Sequence, residues 1–369
     1  MIVKIGDVIS EYSVRNKFDE NIPVYSVTNE KGFCTGYFSK EVASKDKSTY
    51  KIVPRGYFAY NPSRINVGSV DWQKYEDRVI VSPLYVVFGV SDRLDRQYLL
   101  HYLKSDMMLS FIKEYATGSV RDNLKLADLG KLPINLRPVE EQRQIATTLD
   151  KIDDLIAKRR QQLDKLDELV KSRFIEMFGD LADPACDWPQ SKLTEVCADP
   201  DDIKCGPFGT QLNKAEYRHE GVALWEIPQI NAQFRVEPTH YLDFDKAAEL
   251  DAYSIIPGDI AMSRKGNVGQ CAVFPCDYMS GIIHSDVLRI RVDSGKMVPI
   301  FMMYQLHYSG TVKRQIEQVS SGAIMAGINV TKLKSIMVHL PPLELQEQFA
   351  DFVTQIDKSK SFDDLEVAA

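Results

Sequence analysis

Leu136-Arg137-Pro138-Val139-Glu140-Glu141-Gln142 returns 204 residues later as Leu340-Pro341-Pro342-Leu343-Glu344-Leu345-Gln346. Ile152-Asp153 returns as Ile356-Asp357 at the same offset. Upstream, Pro54-Arg55-Gly56-Tyr57-Phe58-Ala59 corresponds to Pro257-Gly258-Asp259-Ile260-Ala261, and Asn66-Val67-Gly68 to Asn267-Val268-Gly269. Ser82-Pro83-Leu84-Tyr85 is matched with Ser285-Asp286-Val287-Leu288. Each identity is weak alone, but together they keep one order at offsets of 201 to 204. A repeat of that kind reads as two copies of one module.

Each module opens with alternating apolar stretches that read as strands, such as 79–81, 85–88 and 287–292. Gly/Pro/Asn clusters separate them, and shorter helical patterns follow over 97–115 and 299–319. This is α+β, drawn twice. The period then changes. Ile145, Leu149, Ile152, Ile156, Leu163, Leu166, Val170 and Met177 follow heptad spacing, with Arg159 and Arg173 at the two remaining seam positions. Pro138, the Glu140-Glu141 pair and Gly179 mark the ends of one long helix. The second copy starts with Phe349, Val353 and Ile356, then places Lys360 on the seam, and the chain stops at Ala369. The expected divisions are 1–137, a central helix at 138–179, 180–342, and a shortened helix at 343–369. The two helices are expected to pair antiparallel, leaving the seam at Leu163, Leu166 and Val170 for a partner to cover.

The net charge is −7, distributed as +3 over 1–136, −1 over 137–180, −4 over 181–342 and −5 over 343–369. A uniformly basic, nucleic-acid-coating surface is excluded, so any such contact must use local basic loops. The six cysteines, at 34, 186, 197, 205, 271 and 276, have no zinc spacing and read as reduced structural thiols. No signal-peptide pattern and no apolar run of about 20 residues occurs, so a soluble cytoplasmic protein with no membrane partner is expected.

Catalytic signatures are missing: no phosphate loop, no dinucleotide fingerprint, no H-E-x-x-H and no acidic magnesium cluster. Asn61-Pro62-Ser63-Arg64 only begins like the Asn-Pro-Pro-aromatic tetrad of amino-methyltransferases, and it reads as a turn. His284-Ser285-Asp286 holds triad residue types, but neighbours on a strand point to opposite faces. Binding remains. Arg64 and Asn66 share one loop, with Arg264, Lys265 and Asn267 on the matching one; Gln229, Asn231, Gln233 and Arg235 form a polar stretch. Arg pairs with guanine edges, Asn and Gln with adenine, and Lys holds phosphates, so these residue types suit duplex DNA.

The organisation resembles the specificity subunit of type I restriction–modification enzymes over essentially the whole chain. The resemblance is carried by 136–142 and 340–346, by Phe174-Ile175-Glu176-Met177-Phe178-Gly179-Asp180 followed by Asp187-Trp188-Pro189, and by Gly206-Pro207-Phe208-Gly209-Thr210-Gln211-Leu212 with Tyr217 and Gly221. It implies two target recognition domains, each reading half of a split duplex DNA sequence, with Gln211 among the candidate DNA-binding residues. It also implies long conserved helices that act as a ruler and dock two modification subunits. Those partners bring S-adenosylmethionine and methylate a flipped adenine; a restriction subunit adds ATP-driven translocation and cleavage, with magnesium. No cofactor and no catalysis are expected in this chain. The competing readings are a two-domain adaptor that does not bind DNA, and a free-standing methyltransferase with diverged motifs. The departure from the family is the short second helix, ending in Ser361-Phe362-Asp363-Asp364-Leu365.

Overall fold

A computed structural model describes residues 1–36, 46–115, 123–183, 186–320 and 327–366, the side chains after Lys360 excepted. The chain divides into two compact units, Met1–Arg159 and Arg160–Ala369.

The first unit runs through β1 (Ile2–Lys4), β2 (Ile9–Glu11), β3 (Ser26–Thr28), β4 (Gly32–Cys34) and β5 (Lys51–Pro54). It continues with β6 (Phe58–Tyr60), β7 (Val70–Trp72), β8 (Arg78–Val81) and β9 (Val86–Val90). Helices α1 (Arg96–Lys104), α2 (Asp106–Tyr115) and α3 (Leu126–Leu129) follow, then β10 (Pro133–Asn135) and α4 (Val139–Phe178). At 40 residues, α4 is about 60 Å long and continues through the unit boundary.

The second unit repeats the plan. Its elements are β11 (Gln190–Lys192), β12 (Ile203–Cys205), β13 (Val222–Trp225), α5 (Ile227–Asn231), β14 (His240–Leu242), α6 (Phe244–Glu249) and β15 (Ser254–Ile255). After these come β16 (Ile260–Ser263), β17 (Cys271–Val273), β18 (Gly281–Ile283), β19 (Val287–Ile290), α7 (Pro299–Tyr308) and α8 (Gly310–Ser320). The last are α9 (Val330–Leu333), β20 (Met337–His339) and α10 (Leu343–Glu366).

The correspondence is topological. The central sheet is ordered β2-β9-β6-β7 in one unit and β12-β19-β16-β17 in the other, and β1–β10 matches β11–β20. The parallel bridge from Val24 to Ile80 becomes the β13–β18 pair in the second unit. Two-residue periodicity gives each central sheet two buried faces. Phe58, Tyr60 and Phe88 pack with the helices α1 and α2, while Ala59 and Val87 pack with Val27, Val53, Val79 and Val81. In the second unit Ile260, Met262, Leu288 and Ile290 take the helix side, and Ala261 and Val287 pack with Trp225, Phe234, Phe274 and Ile283.

The repeated glutamine in the helix-start motif has the same task twice. Gln142 is fully buried; its Oε1 accepts from Asp95 N at 2.8 Å, and its Nε2 donates to Arg93 O at 2.9 Å and Arg137 O at 2.7 Å. Gln346, also fully buried, accepts from Val298 N at 2.9 Å and donates to Lys296 O at 3.3 Å and Pro341 O at 2.8 Å. Each amide therefore satisfies backbone groups just before α1 or α7 and at the start of its own long helix. A shorter or charged side chain does not meet that set of one donor and two acceptors.

Within the second unit α10 packs antiparallel to 160–178 of α4. Phe349 meets Phe174 and Phe178 at 5.4 and 5.7 Å, Arg173 lies over Phe352 at 5.9 Å, and Lys360 Nζ meets Asp167 at 2.8 Å. Partner numbers rise on one helix as they fall on the other. Phe301, Tyr304 and Tyr308 from α7 complete an aromatic cluster around this end.

The seam departs from strict heptads. Val170, Phe174 and Phe178 recur every four residues and are buried, because this stretch packs on α7 and α10 together and follows the 3.6-residue helical period. Val170 is therefore not left for a partner, contrary to the expectation from sequence, and Leu163 and Leu166 are half-buried. Ile145 is half-buried against the first unit's core. The uncovered seam positions lie earlier, at Leu149 (36%), Ile152 (45%) and Ile156 (45%), while Leu155, Leu169 and Ile175 are exposed off the seam. Val353 is buried and Ile356 half-buried. Lys360, read as an interruption of the seam, is buried and ion-paired with Asp167 and Asp357, which hold its ammonium protonated above the ordinary lysine range against the opposing effect of burial.

Two histidines of the second unit are held neutral. Burial lowers both His307 and His339; His307 Nε2 accepts from Cys271 N at 3.3 Å, and His339 Nε2 lies 2.9 Å from Gln190 Nε2. A base with a depressed folded pKa stabilises fully above its unfolded value of 6.5, and the contribution falls as pH drops below it. The urea midpoint of this unit is expected to decrease between pH 7.5 and pH 5, and His307→Gln to remove part of that decrease; a midpoint flat over this range refutes the assignment. All six cysteines are unpaired, and burial raises the Cys197 thiol to about 12.

Candidate nucleic-acid interface

The two matching loops join the middle strand of each central sheet to its edge strand. In the first unit, Asn61 Oδ1 accepts from Ser63 N at 3.1 Å and Arg64 N donates to Asn61 O at 2.9 Å, so this segment is a turn. Gly68 takes a left-handed φ of 84°, as does Gly269 in the second unit, which glycine adopts at no steric cost. Leu124 N donates to Pro62 O at 3.1 Å and Ser63 Oγ bonds Asn123 Oδ1 at 2.7 Å, tying the loop to the residues before α3. Arg64 is exposed and Asn66 half-buried.

In the second unit, Ile328 N donates to Arg264 O at 3.2 Å. That bond is the equivalent of Leu124 to Pro62, so Arg264 stands where the first module has Pro62. The Asn-Val-Gly ends of the two loops correspond, whereas Arg64 and Arg264 do not. The turn after β18 needs a similar adjustment. Tyr85 N donates to Ser82 O and Val287 N to His284 O, so Ser82 matches His284 and not Ser285.

Arg264 is not a free arm. Its guanidinium lies 4.8 Å above the Phe208 ring and its Nε donates to Ile328 O at 3.1 Å. Its backbone N donates to Asp286 O at 2.8 Å, and the neighbouring Lys265 pairs with Asp286 Oδ1 at 2.7 Å. Gly206, at the end of β12, passes beneath this turn. A Cβ there would lie 2.3 Å from His284 O and Ile283 O. His284 Nδ1 accepts from Asp286 N at 3.2 Å, a local turn bond in place of any converging triad. Gln211 is exposed, with its Oε1 accepting from Phe208 N at 3.1 Å and Tyr253 OH at 3.2 Å. Phe208, Gln211, Arg264, Lys265 and Asp286 are thus tied into one polar, cationic end of the second unit. Asn267 lies exposed on the same loop.

Gln229, expected to face DNA, is not available to it. It is 1% exposed, its Oε1 accepting from Glu226 N at 3.2 Å and its Nε2 donating to Glu237 O at 3.1 Å. It caps α5 and closes the following turn. Asn231, Gln233 and Arg235 are exposed on that turn, with Arg235 Nη2 3.4 Å from Gln233 Oε1. Among the described residues no hydrogen bond joins them to the Arg264 loop, and Phe234 roots the turn on Trp225 and Phe274. Sequence reasoning missed Phe208 and Asp286 as parts of the cationic end. The aromatic in Gly206-Pro207-Phe208 was the available signal; Asp286 offered none.

Among the described residues, no cluster of His, Cys, Asp and Glu is arranged to hold a metal, and no helix is long and apolar enough to cross a membrane.

A family model for the type I restriction modification DNA specificity domain matches the chain twice, over residues 2–168 and 187–363. The chain belongs to this family. It is 24% identical over 338 residues to the putative type I restriction enzyme MjaX specificity subunit of Methanocaldococcus jannaschii, covering 87% of this chain and 76% of that protein. It is 24% identical over 281 residues to the MjaVIII specificity subunit of the same organism, covering 72% of this chain and 64% of that one. The fold is also similar to the crystal structure of a type I restriction–modification S subunit from M. genitalium, with a TM-score of 0.59, 14% identity, and 100% and 92% of the two chains covered. A chain from work on complex assembly and conformational transition of the type I R-M system gives a TM-score of 0.52 at 19% identity, covering 98% and 90%. This specificity subunit thus carries two target recognition domains of one topology, each followed by a family helix, α4 or α10.

Proposed function

We propose that this specificity subunit reads a two-part duplex DNA sequence, one half per recognition domain, and has no active site of its own. The carrying observation is that both domains present a polar, cationic loop at the same place, between the middle and edge strands of a shared topology, with different side chains on it. Same frame and different tips are what two unlike half-sites require. Modification subunits bringing S-adenosylmethionine, and restriction subunits bringing ATP and magnesium chemistry, complete the activity in the cytoplasm, where the host DNA lies. The uncovered stripe at Leu149, Ile152, Leu155 and Ile156 supports docking of a modification subunit along α4.

Mapping methylated adenines genome-wide in a host with and without this chain tests the reading. A split motif that appears only with the chain is expected, and an unchanged methylation pattern overturns it. Methyl-donor binding by the isolated chain would favour a free-standing methyltransferase instead. In direct binding, affinity is expected to fall steeply with salt, and Arg64→Ala to lower the log–log slope by about 1. A slope equal to the parent's removes Arg64 from the interface.

A further inference from the structure

The turn at 82–85, between β8 and β9, is held from several sides. Tyr85 N closes it on Ser82 O at 3.1 Å, Lys51 Nζ donates to Tyr85 O at 2.6 Å, and Tyr85 OH accepts from Val27 N at 3.4 Å. Pro83 fixes one of its φ angles. Ser69, at the end of the candidate loop, donates its hydroxyl to Val27 O at 2.7 Å, so turn and loop hang from one residue of β3. Three cations gather here. Arg15 is bridged to Lys51 across the backbone, and Arg64 acts electrostatically on Tyr85. Glu11 is the acidic group within electrostatic reach of Lys51. At the outside of this braced turn stands Leu84, 78% exposed.

A lone exposed leucine is ordinary on a protein surface. One fixed on a braced turn among Arg15, Lys51 and Arg64 is in a different position. The cations attract phosphates, and an apolar tip among them has a partner in the major groove: the 5-methyl group of thymine, which amino-acid methyl groups contact directly. The counterpart of Leu84 in the second domain is Asp286, a carboxylate already paired with Lys265. The two tips therefore offer opposite chemistries.

Resting on the specificity reading above, we infer that the turn at 82–85 is a base-reading tip of the first recognition domain: Leu84 contacts a thymine methyl while Arg15, Lys51 and Arg64 hold the flanking phosphates. The test uses the subunit assembled with its modification subunits and a randomised duplex library. Leu84→Ser is expected to relax preference at one base position by about tenfold, in one half-site only, leaving the other half unchanged. Arg15→Ala is expected to weaken binding evenly across sequences and to reduce the salt slope. Tyr75→Ser, 55% exposed at the opposite end of β8, is expected to do neither. A Leu84→Ser complex with the parental motif, or one weakened evenly on every sequence, overturns the inference while the specificity reading stands. A parental complex that selects no sequence overturns both.

Discussion

Replacing Gln142 with methionine is expected to lower the stability of the first unit by about 3 kcal/mol or more. The side chain keeps its length, so the loss is not one of volume. Asp95 N, Arg93 O and Arg137 O each lose the amide partner that the fully buried Gln142 side chain gives them. An unsatisfied buried backbone group costs about 1–3 kcal/mol, and three are created together. Gln346→Met is expected to do the same to the second unit through Val298 N, Lys296 O and Pro341 O. Denaturant unfolding followed separately for each unit measures both effects. A loss under about 1 kcal/mol would mean that backbone relaxation or water replaces the amide, and the clamp assignment would be wrong.

Phe349→Ala is expected to cost about 3–5 kcal/mol, the range for truncating a large aromatic residue in a packed core. Phe349 is fully buried, and its ring lies 5.3 to 5.7 Å from those of Phe174, Phe178 and Tyr304. It joins α10, α4 and α7 at one point, so its removal is expected to release α10 before the rest of the unit unfolds. Hydrogen exchange resolved along the chain distinguishes the two steps: α10 amides are expected to lose protection first. Uniform loss of protection over the whole unit would show that α10 is not separately held by this cluster.

The repeat, the α+β modules and the long helix were legible because they rest on order and periodicity, which the sequence carries directly. The packing was less so. Heptad spacing placed Arg173 on the seam and passed over Phe174 and Phe178, since one strand of sequence does not tell whether a helix faces one neighbour or two. Lys360 looked like an interruption because its partner Asp167 is 193 residues away. At the candidate interface, matching residue types put Arg64 opposite Arg264, while the backbone bonds put Pro62 there instead. Gln229 had the right chemistry for adenine but spends it on its own helix. Side-chain type proposes a contact; exposure and prior hydrogen bonds decide whether the group is available for it.

Lys360 carries a consequence for alignment. Moving α10 one turn in either direction along α4 would set the lysine opposite Leu163 or Lys171 in place of Asp167. The ammonium would face either a hydrocarbon surface or a like charge and keep only Asp357 of its own helix, so part of the pairing that offsets its burial would be lost. The aromatic rings and branched chains alone would tolerate such slippage far better. The one cation that spoils the apolar pattern is thus a keying pin: it gives up some adhesion so that the two rods mesh at a single notch.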